Sequence, residues 1–122
     1  MLSLVPDIPT LMWHVTLSIE GEPIDEDEIR EALERLSDEH PFLLAARFAS
    51  DRAEVRYWDE AREIDAALSL ATRLWNEHRD SAGLPDWRVV GVEVIDQDTF
   101  RRRARAEHAE PGLVAAGLVL PF

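Results

Sequence analysis

From Trp13 to Ile19 the chain alternates, with Trp13, Val15, Leu17 and Ile19 on one side and His14, Thr16 and Ser18 on the other. This is the period-two signature of a strand with one buried face. Gly21 and Pro23 interrupt it, and the run Asp25 to Glu28 opens a helix with Asp25 as N-cap, Glu28 as its capping-box partner, and Ile29, Leu33 and Leu36 as the apolar stripe. Pro41 ends the connection, and FLLAARFA predicts a second strand with Phe42, Leu44, Ala46 and Phe48 on one face. A short polar turn, SDR, leads into a hairpin partner over Ala53 to Trp58, with Val55 and Tyr57 facing the core. Asp59 is placed to cap a long second helix whose stripe is Ile64, Ala67, Leu68, Ala71, Leu74, Trp75 and His78, stopped by Gly83 and Pro85. WRVVGVEVI predicts a fourth strand with Val90, Val92 and Val94 inward.

The order strand, helix, strand, strand, helix, strand is that of a ferredoxin-like split βαββαβ sandwich. Right-handed crossovers put two helices on one face of a four-stranded antiparallel sheet, with strands one and three central. The chain is read as α+β and as one domain, with a core over about residues 12–96 and a C-terminal extension over 97–122. The extension begins with a short helix, capped by Asp96 or Asp98, that turns Phe100 and Ala104 inward. It ends, after Pro111 and Gly112, in the uncharged tail LVAAGLVLPF. Such a tail is an aggregation hazard unless buried. It is expected to dock on its own sheet edge as a fifth strand, to cross to a second subunit, or to insert into another protein.

Two helices cover one side of a sheet, so the other side must meet water, a ligand or a second subunit. Strand parity assigns to that open face His14, Thr16 and Ser18, then Leu43, Ala45 and Arg47, then Glu54, Arg56 and Trp58, then Val89, Gly91, Glu93 and Ile95. The apolar members favour packing of two such faces in a homodimer. The alternative is a small-molecule or enzymatic pocket bounded by His14, Arg47, Arg56, Trp58 and Glu93, with His14 as candidate general acid or base oriented by Glu93 or Glu54. Stacking of RNA bases does not fit, because strand one offers Thr16 where an aromatic is needed and strand three has only Trp58 at its end.

Charge reinforces that exclusion. The net charge is -12, so phosphate backbones are repelled and no nucleic acid partner is expected. Residues 20–39 hold ten acids and two arginines, a surface suited to a basic protein partner. The balance reverses late: residues 101–122 hold four arginines, Arg101, Arg102, Arg103 and Arg105, against two acids. These arginines are read as an anchor that meets the acidic helix of the same chain or a dimer mate and orients Leu118, Leu120 and Phe122.

There are no cysteines, so no disulfide, thiolate metal site or cysteine nucleophile is available. Three of the four histidines follow a glutamate directly, at Glu39–His40, Glu77–His78 and Glu107–His108. Neighbours on a helix diverge by about 100°, so these pairs do not make joint ligands. No metal, no cofactor, no P-loop, no nucleotide fingerprint and no nucleophile elbow are indicated. The N-terminal stretch lacks the basic region of a signal peptide, and no apolar run approaches the roughly 20 residues that span a bilayer. No membrane association and a cytoplasmic location are therefore expected. The exclusive use of arginine for basic residues suggests a bacterial, GC-rich source.

Overall fold

The computed structural model describes residues 10–40, 42–106 and 118–122, without the side chains of Leu43, Leu44 and Leu118. Pro41, His108, the stop at Pro111 and Gly112, and most of the apolar tail lie outside these residues. The elements run β1 (Leu11–Glu20), α1 (Glu26–Glu39), β2 (Leu43–Ala49), β3 (Arg52–Ala61), α2 (Ile64–Ala82), β4 (Arg88–Asp96), α3 (Gln97–Ala106) and β5 (Leu118–Pro121). They form an α+β structure around one sheet of order β4-β1-β3-β2-β5.

The expected layout is matched in part. Strands β1 to β4 pair antiparallel, with β1 and β3 in the middle. A fifth strand makes the sheet mixed: β5 lies parallel to β2, with Ala45 opposite Leu118 and Phe48 opposite Pro121. Of the three docking sites open to the tail, its last residues take the edge of their own sheet. Phe122 N–H closes the pairing on Phe48 O at 2.9 Å, and its ring receives the Arg52 guanidinium at 5.1 Å.

The inward residues of β1, β2 and β3 meet α1 and α2 in one core. Val15, Leu17, Ile19, Phe48, Val55 and Tyr57 pack with Ile29, Leu33, Leu36, Ala71 and Trp75. Helix α1 begins where Asp25 Oδ1 accepts from Asp27 N–H at 2.7 Å, so the cap is the expected residue, bonded to the second helical position. Its single-sided stripe recurs every three or four residues because that spacing returns to one helix face. Helix α2 ends at Gly83, whose left-handed φ of 70° an L side chain rarely adopts. Arg35 of α1 donates to Ala82 O at 2.6 Å, which places a cation at the negative end of α2. Beyond that end Trp87 stacks parallel to Trp75, with ring centroids 6.3 Å apart.

Four local expectations are corrected. First, β4 carries a bulge: Ser18 faces Gly91 but Ile19 faces Val89. The extra residue reverses side-chain parity, so Val89 packs on the core and Val90 is 44% exposed. Second, the β2–β3 register shifts between Leu43 and Ala45, and Phe42 stands 54% exposed rather than in the core. Third, β3 continues to Ala61, so Asp59 lies within the strand; α2 starts after Glu63, which makes no side-chain cap. Fourth, Ile64 and Leu68 are exposed although they share the stripe of Ala67, Ala71 and Trp75.

Gly21 is set by close approach: a Cβ there would lie 2.0 Å from Trp87 Cδ1, and that indole is held by its N–H bond to Glu22 O at 2.7 Å. Gly91 has room, its nearest neighbour being Ser18 Cβ at 3.6 Å. Gly21→Ala should therefore cost about 2 kcal/mol or more through overpacking. Gly91→Ala should stay within about 0.5 kcal/mol of the parent or stabilise it. Urea unfolding curves of the two variants check this contrast.

Candidate functional site

The face of the sheet opposite α1 and α2 is not open along its whole length. Helix α3 follows β4 directly and folds back across β1 and β4 on that side. Asp96 caps it by accepting from Thr99 N–H at 2.7 Å, and this bond holds the Asp96 carboxyl below its usual range. One turn later Phe100 is delivered onto the sheet, where its ring centroid lies 4.5 Å from that of His14 and 4.8 Å from that of Trp58. His14 and Trp58 face each other across β1 and β3 in edge contact at 5.1 Å. The inward turn expected of Phe100 is therefore toward this face and away from the main core.

Two rows run across β3, β1 and β4 here. One is Trp58, His14 and Ile95; the next is Arg56, Thr16 and Glu93. Sequence parity brings together His14, Arg56, Trp58 and Glu93 on one face, and the structure places all four in these adjacent rows. Arg47 stands further out on β2 opposite Glu54 and is exposed. The environment of His14 differs from a solvent-facing pocket. It is only 4% exposed, and its Nε2 has no hydrogen-bond partner among the described residues. Burial first, then the nearby Arg56 charge, lower its pKa to about 4, with Glu93 opposing. Neither expected carboxylate orients it, since Glu93 bonds Arg103 at 3.2 Å and Glu54 lies 3.3 Å from Arg56.

Arg103 thus meets β4 on the α3 side of the sheet rather than the acidic residues of α1 on the opposite side. Arg102 donates to Thr99 Oγ1 at 3.0 Å, and Arg101, Arg102 and Arg105 share a shallow recess with Asp96 and Asp98. On β5, Leu120 and Phe122 are 44% and 54% exposed, while Leu118 contributes backbone pairing with Ala45.

A second polar cluster, which the sequence did not single out, lies on the helix side. His40, the C-cap of α1, meets the Tyr57 ring edge-on at 4.9 Å and the His78 ring at 6.2 Å. Glu39 accepts from Ser81 Oγ at 2.7 Å and binds His78 Nδ1 at 2.8 Å. The Ser81 hydroxyl first, then His78, hold the Glu39 carboxyl below its usual range. Burial lowers the His40 pKa and raises those of Tyr57 and Asp59. Tyr57 Oη and His40 Nδ1 are buried without hydrogen-bond partners among the described residues. The usable signal was the adjacency of Glu39 to His40; what brings His78 and Ser81 to them, the packing of α1 along α2, is tertiary. Among the described residues no group of three His, Asp or Glu side chains is placed to hold a metal ion, and no helix is long and apolar enough to cross a membrane.

Residues 12–111 match a family described as a domain of unknown function, DUF8830, and the chain belongs to that family. None of the curated proteins matches the chain.

The buried, neutral His14 links stability to pH. Its unfolded form titrates near 6.5 and its folded form at about 4, so between these values the unfolded chain binds more protons and stability falls as pH falls. His14→Gln should remove a loss on the order of 3 kcal/mol at most from that window. Denaturant midpoints of parent and variant from neutral pH down to pH about 4 measure the difference.

Proposed function

We propose that this member of the family works by binding protein, with a second copy of itself as the first partner, joined along the outer edge of β5. The observation that carries this reading is the contrast between the two edges of the sheet. The β4 edge bears Arg88, Glu93 and Asp96 together with the bulge at Val90, which are devices that discourage pairing. The β5 edge, LVLP, has no charge and leaves Leu120 and Phe122 exposed. A two-fold axis beside β5 would set two such edges antiparallel in a short ladder to which Pro121 gives no N–H, so that burial of both pairs of apolar side chains supplies most of the association. The expected packing of two open faces is less favoured, because Phe100 occupies one end of that face and Val89 has moved to the core side.

In this reading the β1–α1–β2–β3–α2–β4 part is a ferredoxin-like sandwich, working in the cytoplasm, that β5 extends into an interface. A basic protein is the second partner, favoured by the exposed acids Glu26, Asp27, Glu28, Glu31, Glu34 and Asp38 along α1. Salt separates the two. Two copies each of net charge -12 repel, so an edge-paired dimer tightens as salt screens them, whereas a complex held by opposite charge loosens.

Leu120→Lys places a charge on the exposed edge without altering the core. Sedimentation equilibrium should give a dimer for the parent, tighter at higher salt, and at least about a tenfold weaker association for the variant. A parent that sediments as a monomer at all salt concentrations, or a variant with unchanged association, overturns the reading.

A further inference from the structure

Trp58 differs from the other three tryptophans. Trp13 donates its indole N–H to Ala61 O at 3.0 Å, Trp75 to Pro85 O at 3.1 Å and Trp87 to Glu22 O at 2.7 Å. Trp58 is on the face away from the main core, and its indole donates to none of the described residues. Beside it His14 is almost wholly buried with Nε2 unpartnered among the described residues, and Arg56 Nε has only the poorly directed Glu54 carboxylate at 3.3 Å. Leaving a buried ring nitrogen such as His14 Nε2 unpaired costs about 1–3 kcal/mol. Structural polar groups are seldom left so.

What covers them is held lightly. No residue of α3 is buried. Besides the seat of Phe100, it meets the sheet through the Arg103–Glu93 pair, with each side chain 54% exposed, and exposed pairs contribute only about 0–1 kcal/mol. Displacing α3 would leave the core beneath α1 and α2 intact, since none of its residues belongs to that core. The Phe100 and Arg103 contacts have a particular chemistry: an aromatic ring against His14 and Trp58, and a cation on Glu93. Between Glu93 and Arg56 lies Thr16, opposite both. An acid, a hydroxyl and a guanidinium thus stand in a row over roughly 10 Å, two strand spacings, next to the aromatic row.

We infer that the seat formed by His14, Trp58, Arg56, Thr16 and Glu93 binds a free aromatic α-amino acid, and that Phe100 and Arg103 of α3 occupy it in the unliganded chain. The ligand ring takes the place of the Phe100 ring. Its ammonium replaces the Arg103 guanidinium on Glu93, and its carboxylate accepts from Arg56. His14 Nε2 gains a partner at the carboxylate edge of the seat. Because α3 competes for the site, the observed affinity is the intrinsic one reduced by the fraction of chains in which α3 is lifted.

L-Phenylalanine titrated into the ¹⁵N-labelled full chain tests this. It should shift the Trp58 indole and the Thr16 and Glu93 amides while leaving the indole signals of Trp13, Trp75 and Trp87 in place. Phe100→Ala should bind it about tenfold more tightly. Arg103→Gln, which frees Glu93 and leaves every ring in position, should also tighten binding and serves if the first variant does not fold. 3-Phenylpropionate, which lacks the ammonium, and phenethylamine, which lacks the carboxylate, should each bind at least about tenfold more weakly than the amino acid. Absence of Trp58 shifts at millimolar L-phenylalanine in both the parent and Arg103→Gln overturns the proposal, as does equal binding of 3-phenylpropionate. Leu120→Lys should bind the amino acid like the parent, so failure of edge pairing and failure of this site are read separately.

Discussion

The ladder between β1 and β3 pairs ten residues without interruption, from Leu11 opposite Ala61 to Glu20 opposite Arg52, and the rest of the molecule is built on the two faces it defines. Side chains alternate across a strand, so one register commits Val15, Leu17 and Ile19 with Val55 and Tyr57 to the helix side, and His14, Thr16 and Ser18 with Trp58, Arg56 and Glu54 to the other. A slip of one residue would exchange these sets and bury charges where Leu17 now sits. Burial of the first set under α1 and α2 is therefore also what holds the second set in its rows.

The flanking strands tolerate irregularity that this central pair does not. Bulges occur in β4 at Val90 and at the start of β2, positions where a reversed side chain can point to solvent. The β4 bulge leaves Glu93, Val94 and Ile95 in the parity that aligns them with Thr16, Val15 and His14. It changes only what lies beyond Gly91. Helix α3 then starts immediately after β4, which leaves no length of chain to carry it around the edge. Phe100 must land on the face to which His14 and Trp58 already point.

Charge is arranged by layer. Acidic residues line the outer side of α1, and the arginines of α3 lie across the sheet from them, so the late reversal of charge along the chain is a separation of two surfaces and not a contact between them. Arg35 and Arg103 show the two uses of arginine in this fold: one closes the carboxyl end of α2, and the other holds a short helix to a strand. The uncharged β5 edge stands apart from both charged layers.

Periodicity and capping residues determined the strand–helix order from β1 to β4, the Asp25 cap and the Gly83 stop, because each rests on local backbone preferences and on alternation within one segment, and the crossover rule then put β1 and β3 inside the sheet. Periodicity also placed His14, Arg56, Trp58 and Glu93 on one face, since parity survives wherever pairing is regular. Parity failed at Val89, Val90 and Phe42, where a bulge is invisible to a count along one strand. For the tail of the extension it left three docking sites open, the edge of its own sheet among them. That Phe100 sits on His14, that Arg103 chooses Glu93, that His40 meets Tyr57 and His78, and that Leu118 to Pro121 pair with β2 are all contacts between segments distant in sequence. Only the packed structure decides them, because each depends on which surfaces the core has already used and which it has left unpaired.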